Sequence, residues 1–321
     1  MVRVMKEEKK FELDIRTDYL RTSESRTIDR ESDPEIGKCN NFNDRKNGGE
    51  PKWIMQHHTV SDYDCTIDIF LHKIVSAHYV IAEDGTIQHM VADDKRAYHA
   101  GRGNLKYNSK LNPFMENITN DMNSWSIGIE NVNNAVTPFE EAQIKSNVYL
   151  LDYLVEQYKI NPKYVIGHAD WDPGRKIDPS PYFPWQTLAK ASTLYPGVEH
   201  DFGVYPLIKK EDNPDILVSY KVKTLEDVQH LQSQLEELGY PVVEQDQSNY
   251  GVFDNKTKSA CISFKIHYLN TDITDNPDAM KFWELRCFGS EVVQDLANEY
   301  LSVWDINCDK VMGDVLDLYG A

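Results

Sequence analysis

Residues 163–185 read KYVIGHADWDPGRKIDPSPYFPW, and the reading of the whole chain turns on this stretch. It opens with a short aromatic and β-branched run, Tyr164 to Ile166, that ends in Gly167 and His168. A run of that kind predicts a buried strand delivering an imidazole at its end. The loop that follows carries Pro173, Gly174, Pro179, Pro181 and Pro184, so neither helix nor central strand continues through it. This stiff loop holds Arg175, Lys176 and Asp178. A strand-end histidine and a carboxylate ten residues on can supply two ligands to one metal. The third would be His57 or His58, at the end of a second short strand starting at Trp53; adjacent strand residues face opposite sides, so only one of the two can enter the site.

Outward from these strands the pattern alternates between strand and helix. Ser76–Ala82 and Thr86–Val91 read as a hairpin turning at Asp84-Gly85. Trp125 to Glu130 alternates, with Trp125, Ile127 and Ile129 on one face and Ser126, Gly128 and Glu130 on the other. Thr137 and Pro138 predict a helix start, and Ile144, Val148, Leu151, Val155 and Tyr158 form its buried stripe until Asn161-Pro162 stops it. The expected fold class is α/β, a mixed central sheet flanked by helices over residues 51–194.

Beyond it, residues 195–223 read as a linker with Pro196, Pro206 and Pro214. A second, helical pattern occupies 224–305. Thr224 and Asp227 form a capping box, Leu231, Leu235 and Leu238 a stripe, and Gly239 a stop. Asp254 opens a second helix and Ser290 a third, which predicts a small three-helix domain, with 306–321 as a C-terminal tail. Residues 1–50, dense in charges of both signs and poor in apolar residues, read as an arm.

Bulk composition excludes several classes. The 321 residues carry a formal net charge of −18, which argues against a nucleic-acid partner because phosphate binding needs a basic face. No apolar run is long enough for a transmembrane helix. Cys39, Cys65, Cys261, Cys287 and Cys308 are scattered and odd in number, so they read as free thiols rather than a disulfide framework. No signal peptide is visible near Met1, which leaves both envelope and cytoplasm open.

His57, His168 and Asp178 would make a two-histidine, one-carboxylate site; zinc takes such ligands, and three protein ligands leave a fourth position for water. Glu130, at the end of a strand of small residues, can face a cleft and act as a general base. Lys176, two residues before Asp178, can place an ammonium beside a developing oxyanion. Tyr98-His99-Ala100-Gly101 fits the wall of a groove. Taken singly, each of these side chains also fits an ordinary structural or solvated role.

Together they resemble a family. His57-His58-Thr59, Ser76-Ala77-His78-Tyr79-Val80, Asp84-Gly85, Tyr98-His99-Ala100-Gly101, Ser126-Ile127-Gly128-Ile129-Glu130 and Gly167-His168 follow the order of type 2 N-acetylmuramoyl-L-alanine amidases, whose fold underlies the peptidoglycan recognition proteins. Arg175-Lys176-Ile177-Asp178-Pro179 with Phe183-Pro184-Trp185 resembles the AmiD branch. The resemblance implies zinc on His57, His168 and Asp178, Glu130 as acid/base, Lys176 as transition-state stabiliser, and His99 and Arg175 as substrate contacts. It implies hydrolysis of the amide between N-acetylmuramic acid and L-alanine in peptidoglycan or muropeptides.

The 224–305 module resembles a three-helix peptidoglycan-binding domain through Leu231, Gln232, Leu235, Leu238-Gly239-Tyr240 and Gly251-x-Phe253-Asp254, with an insertion over 270–289 that departs from the family pattern. A wall-binding module favours the bacterial envelope. The rival readings are a non-catalytic recognition protein, which can lose a ligand, and a phage-type lysin of the same chemistry. Oligomeric state, the preferred stem peptide, and the choice between intact wall and anhydro-muropeptides are left open by the sequence. A chain ending near Ser219 is expected to fold and to cleave small muropeptides.

Overall fold

A computed structural model describes residues 2–4, 13–20, 41–116, 121–206, 222 and 224–320. The expectations for Cys39, for much of the N-terminal arm and for most of the 195–223 linker lie outside the described residues. The chain forms two compact units. The first draws its described residues from 1–102, 120–168 and 186–203, the second from 103–119, 169–185 and 204–321. The expected boundaries at 194 and 224 follow chain order, whereas these units interleave along it.

The first unit is built on β1 (Val2–Val4), β2 (Leu13–Arg16), β4 (Trp53–His58), β5 (Tyr79–Ile81), β6 (Ile87–His89), β8 (Ser126–Asn131) and β9 (Val165–Gly167). These form one seven-stranded sheet in the order β1-β2-β6-β5-β8-β4-β9. The pairs β2/β6, β5/β8, β8/β4 and β4/β9 are parallel, and β1/β2 and β5/β6 antiparallel. β3 (Phe42–Asp44) pairs with β7 (Lys95–Ala97) in a separate ribbon. The β5/β6 hairpin turns where expected: Gly85 has φ +86°, and Asp84 Oδ1 accepts the Thr86 N–H at 2.8 Å.

β4 is buried along its whole length, as a central parallel strand covered on both faces must be. Trp53, Ile54 and Met55 are fully buried, each removing enough apolar surface to contribute roughly 1.5–3 kcal/mol. Gln56, in the same strand, has its side-chain amide hydrogen-bonded within a buried amide cluster. Its Oε1 accepts from Asn131 and Asn147 at 2.9 Å each, and Asn131 Nδ2 also donates to the His57 carbonyl at 3.0 Å. Asn147 lies on α2 (Glu141–Tyr158), which therefore covers the Gln56 face of the sheet. α1 (Tyr63–His72) packs Ile67, Phe70 and Leu71 with Val80 and Val132, on the opposite face.

The structure departs from several expectations. α2 begins at Glu141, not at Thr137, because the Asn134 and Asn133 side chains take residues 134–138 into a turn: Thr137 Oγ1 donates to Asn134 Oδ1 at 2.8 Å, and Asn133 Nδ2 to the Thr137 carbonyl at 3.1 Å. The N-terminal arm contributes β1, β2 and β3, and Arg45 is buried, donating to the carbonyls of Asp93, Asn123 and Ser126. In the linker, Val198, Phe202, Val204 and Tyr205 are buried rather than spread on the surface.

In the second unit, the helix Leu225–Leu238 starts on the Thr224–Asp227 capping box and stops at Gly239 (φ +139°), as the sequence indicates. Asn255–Tyr268 is capped by Asp254 and buried nearly all round. The 270–289 insertion is itself helical, with Thr271–Thr274 and Pro277–Phe288, and precedes Glu291–Leu301. The expected C-terminal tail is the helix Ile306–Gly320, which buries Cys308, Val311, Met312 and Val315, so the unit has more helices than the three expected. Among the described residues, Cys65, Cys261, Cys287 and Cys308 are free thiols, and no helix is long and apolar enough to cross a membrane.

Candidate active site

Three neighbouring parallel strands bring the site together. In the β4/β8 ladder His57 stands opposite Glu130, and in β4/β9 Gln56 stands opposite Gly167, so His168 follows where His57's partner would fall. His57, Glu130 and His168 thus line up at the carboxyl ends of adjacent strands, where open α/β sheets place their ligands. The alternation that sends His57 towards Glu130 sends His58 to the other face. The His57 and His168 rings meet edge-on at 4.5 Å between centroids.

Asp178 reaches the same place through its loop. The Ala169 N–H, directly after His168, donates to the Asp178 carbonyl at 2.8 Å and closes that loop back on itself. One ligand atom each from His57, His168 and Asp178 lies within 4.8 Å of the others. His57 and His168 are buried, and Asp178 is less so. Two imidazole nitrogens and a carboxylate oxygen are a donor set that zinc takes, with bonds to such atoms of about 2.0–2.2 Å.

Two other groups of ligand-type side chains occur among the described residues. Asp152, Glu156 and His200 involve α2 and the segment after α2 and β9; Asp272, Asp305 and Cys308 lie in the second unit. The latter already faces the buried Lys265, whose ammonium is favoured by Cys308, Asp305 and Asp272 against the opposing effect of burial.

The two histidines have partners of their own. His57 Nε2 lies 3.0 Å from His99 Nδ1, and His99 Nε2 lies 3.2 Å from Ser126 Oγ, which donates to the Met122 carbonyl at 2.7 Å. His168 Nε2 lies 2.7 Å from the Ala100 carbonyl. The backbone N–H groups of His99 and Ala100 both donate to Asn123 Oδ1, at 3.1 and 2.7 Å. Burial, reinforced by His57, His78 and His168, holds His99 well below the usual imidazole range. The His99 ring lies on Gly128, where an added Cβ would come within 2.4–2.7 Å of its atoms, so only glycine leaves it room.

Behind this layer His78 accepts the Gly128 N–H on Nδ1 at 3.0 Å and meets the Lys95 carbonyl with Nε2 at 3.0 Å. Burial, then the Arg45 guanidinium, push its pKa down to about 3. The remaining expected residues are on the loop. Lys176 is half-buried, with its backbone N–H on the Asp172 carbonyl at 3.1 Å, and the exposed Arg175 pairs with the Asp172 carboxylate. Sequence reasoning did not single out Asn123 or the Ala100 carbonyl. The available signal was steric: the small residues Ser126 and Gly128 beside Glu130 make room for a ring.

Nitrogen and oxygen donors of this kind are the donor types that zinc takes, and a carboxylate stands on the neighbouring strand. Residues 47–181 match the N-acetylmuramoyl-L-alanine amidase family model. Over 148 residues the chain is 32% identical to the N-acetylmuramoyl-L-alanine amidase AmiD of Escherichia coli K12, covering 43% of this chain and 52% of that protein. Over 113 residues it is 37% identical to the 1,6-anhydro-N-acetylmuramyl-L-alanine amidase AmpD of Haemophilus influenzae, covering 35% of this chain and 55% of that protein. The chain thus spans about half the length of the curated relatives it matches. Its fold resembles that of E. coli AmiD solved with the substrate anhydro-N-acetylmuramic acid-L-Ala-D-gamma-Glu-L-Lys, with a TM-score of 0.57 over 84% of this chain and 90% of that one at 22% identity.

Proposed function

We propose that this protein hydrolyses the amide joining N-acetylmuramic acid to L-alanine in peptidoglycan or muropeptides. The observation that carries the reading is the His57–His168–Asp178 group with Glu130 opposite His57, within the residues that match the amidase family model. His57, His168 and Asp178 would hold zinc, which when bound supplies Lewis-acid polarisation of a carbonyl and a lowered pKa for water. Glu130 takes the proton of the attacking water and delivers it to the leaving amine of L-alanine. Lys176 stabilises the negative charge that develops on the carbonyl oxygen. Arg175 contacts the substrate from the same loop.

The helical region 224–305 holds the polymer, and the bacterial envelope is the place of work that such a region favours. Both statements rest on the resemblance of the Thr224-capped helix and the Asp254-capped helix to a peptidoglycan-binding domain.

The test is mass spectrometry of products from purified sacculi and from soluble muropeptides, with and without chelator. The expected result is free stem peptide with an L-alanine N-terminus, formed only without chelator. Binding to muropeptide with no cleavage would replace the enzyme by a recognition protein, and cleavage at a glycosidic or other peptide bond would overturn the reading.

A further inference from the structure

Within the second unit, the 270–289 insertion helps to wall a cavity of about 490 Å³, together with Lys265 and residues from Tyr300 to Asn307. Small-molecule sites usually span about 300–1,000 Å³. Three carboxylates, on Asp272, Asp275 and Asp305, and one ammonium, on Lys265, line it.

Lys265 is only 8% exposed, and lysine is almost never buried unless paired. Its ammonium donates to the Val303 carbonyl. An ammonium carries three N–H donors, so that carbonyl leaves two for a further acceptor. Burial works against its charge, but Cys308, Asp305 and Asp272 outweigh burial, and the group stays an ammonium.

The carboxylates call for a cation. Asp305 Oδ1 accepts the N–H groups of Asn307 and Cys308 at 2.9 and 3.1 Å, which fixes its side chain at the start of the helix Ile306–Gly320. One carboxylate oxygen of Asp272 lies within 4.8 Å of one of Asp305. Like charges this close disfavour one another, and Lys265 offsets only one of the three. Burial pushes the neighbouring Cys308 thiol up to about 12, so it lends no thiolate to a metal at neutral pH. The Lys265 ammonium also repels a metal ion, whereas a ligand that brings its own carboxylate satisfies it. Ile273, Ala279 and Leu301 are buried wall residues and give the cavity an apolar side.

We propose that this cavity binds a basic amino acid, free or at the carboxyl end of a peptide, with its carboxylate on the Lys265 ammonium and its side-chain ammonium among Asp272, Asp275 and Asp305. The aliphatic stem lies along Ile273, Ala279 and Leu301. The site shares no residue with the candidate active site, and the inference stands apart from the amide hydrolysis proposed above.

The test is isothermal titration calorimetry on the full chain, with chelator present so that no metal contributes. L-Lysine should bind. 1,5-Diaminopentane keeps two ammonium groups and lacks the carboxylate, and it should bind about 10–100-fold more weakly, the scale of a lost charge-assisted hydrogen bond. Lys265→Met, which keeps an apolar chain in the buried position, should weaken L-lysine and not the diamine, closing that gap. Asp275→Asn, at an exposed position, should weaken both. A tripeptide ending in L-lysine distinguishes the two sources: tighter binding than the free amino acid identifies a peptide end, and binding by free L-lysine alone identifies the amino acid.

A diamine that binds the wild-type chain as tightly as L-lysine would overturn the proposal, as would L-lysine affinity unchanged in both variants. No heat from either L-lysine or the tripeptide would overturn it too. Zinc or calcium bound without chelator and lost in Asp272→Asn, while L-lysine gives no heat, would make this a metal site instead. Should Lys265→Met fail to fold, the diamine comparison and Asp275→Asn decide.

Discussion

His57 and Glu130 stand opposite one another in the parallel ladder between β4 and β8. Backbone pairing sets a candidate metal ligand beside a candidate proton carrier. Metal content and turnover measured on the same variants separate the two roles.

Glu130→Gln should keep its zinc and lose about a hundredfold or more in kcat, the usual contribution of a general base. Lys176→Ala should lose a comparable factor through weaker oxyanion stabilisation. Steady-state kinetics beside metal analysis of the same samples checks both; normal turnover in either variant removes that residue from the mechanism.

Removing the metal should abolish cleavage, and zinc should restore it. Because an ion seated on His57, His168 and Asp178 binds the folded chain alone, free zinc at 100 times its Kd should add about 2.7 kcal/mol of stability. Thermal unfolding across a zinc titration measures this, and a midpoint indifferent to zinc would count against the site.

Gly128→Ala should force the His99 ring off its seat, since the new Cβ falls within 2.4–2.7 Å of ring atoms. Overpacking of this kind costs about 1–3 kcal/mol. Urea denaturation of the metal-free protein should show that loss, and chelator competition should show weaker zinc binding.

His78 predicts a pH dependence. Its folded pKa is about 3, against 6.5 for an ordinary histidine, so between these values the unfolded chain binds a proton that the folded chain refuses. Its contribution is complete above about pH 6.5 and is lost as pH falls towards 3, at about 1.4 kcal/mol per pH unit. Replacing His78 with Gln should flatten the stability difference between pH 7 and pH 5 by about 2 kcal/mol. Arg45, Asp93 and His89 share its surroundings and remain in both proteins, so comparing the two slopes isolates His78. Equal slopes would show that His78 titrates normally.

A chain ending at Ser219 should lose cleavage even of small soluble muropeptides, the reverse of the sequence-based expectation. Within the second unit, buried Asp170 accepts from Tyr240 Oη at 2.6 Å and pairs with His267 Nδ1 at 2.7 Å. Trp185 stacks on His267 at 3.7 Å, and Asn270 Nδ2 donates to the carbonyls of Pro181 and Phe183. Truncation strips these partners from the segment that carries Asp178, which then loses the contacts that fix its shape. Zinc affinity and turnover of the truncated chain test this; wild-type values for both would show that residues 169–185 hold their shape alone.

The sequence by itself determined the strands that carry the site. Trp53–His58 opens with Trp53-Ile54-Met55, and the run ending at His168 is aromatic and β-branched; both are short apolar runs beside loop residues and buried throughout, so local composition suffices to place them. The caps of the Thr224 and Asp254 helices were legible for the same reason, since a cap is satisfied within one turn. The Thr137 start was misjudged because Asn133 and Asn134 compete for the same backbone. Strand register, the layer of His99, Ala100 and Asn123 behind the histidines, the burial of Arg45, and the pairing of Asp170 with Tyr240 and His267 were decided only by the tertiary structure. These contacts join residues 23 to 97 positions apart, and no local periodicity encodes which distant donor meets which acceptor. That choice is made when the sheet and the helices pack and every buried polar group must find a partner.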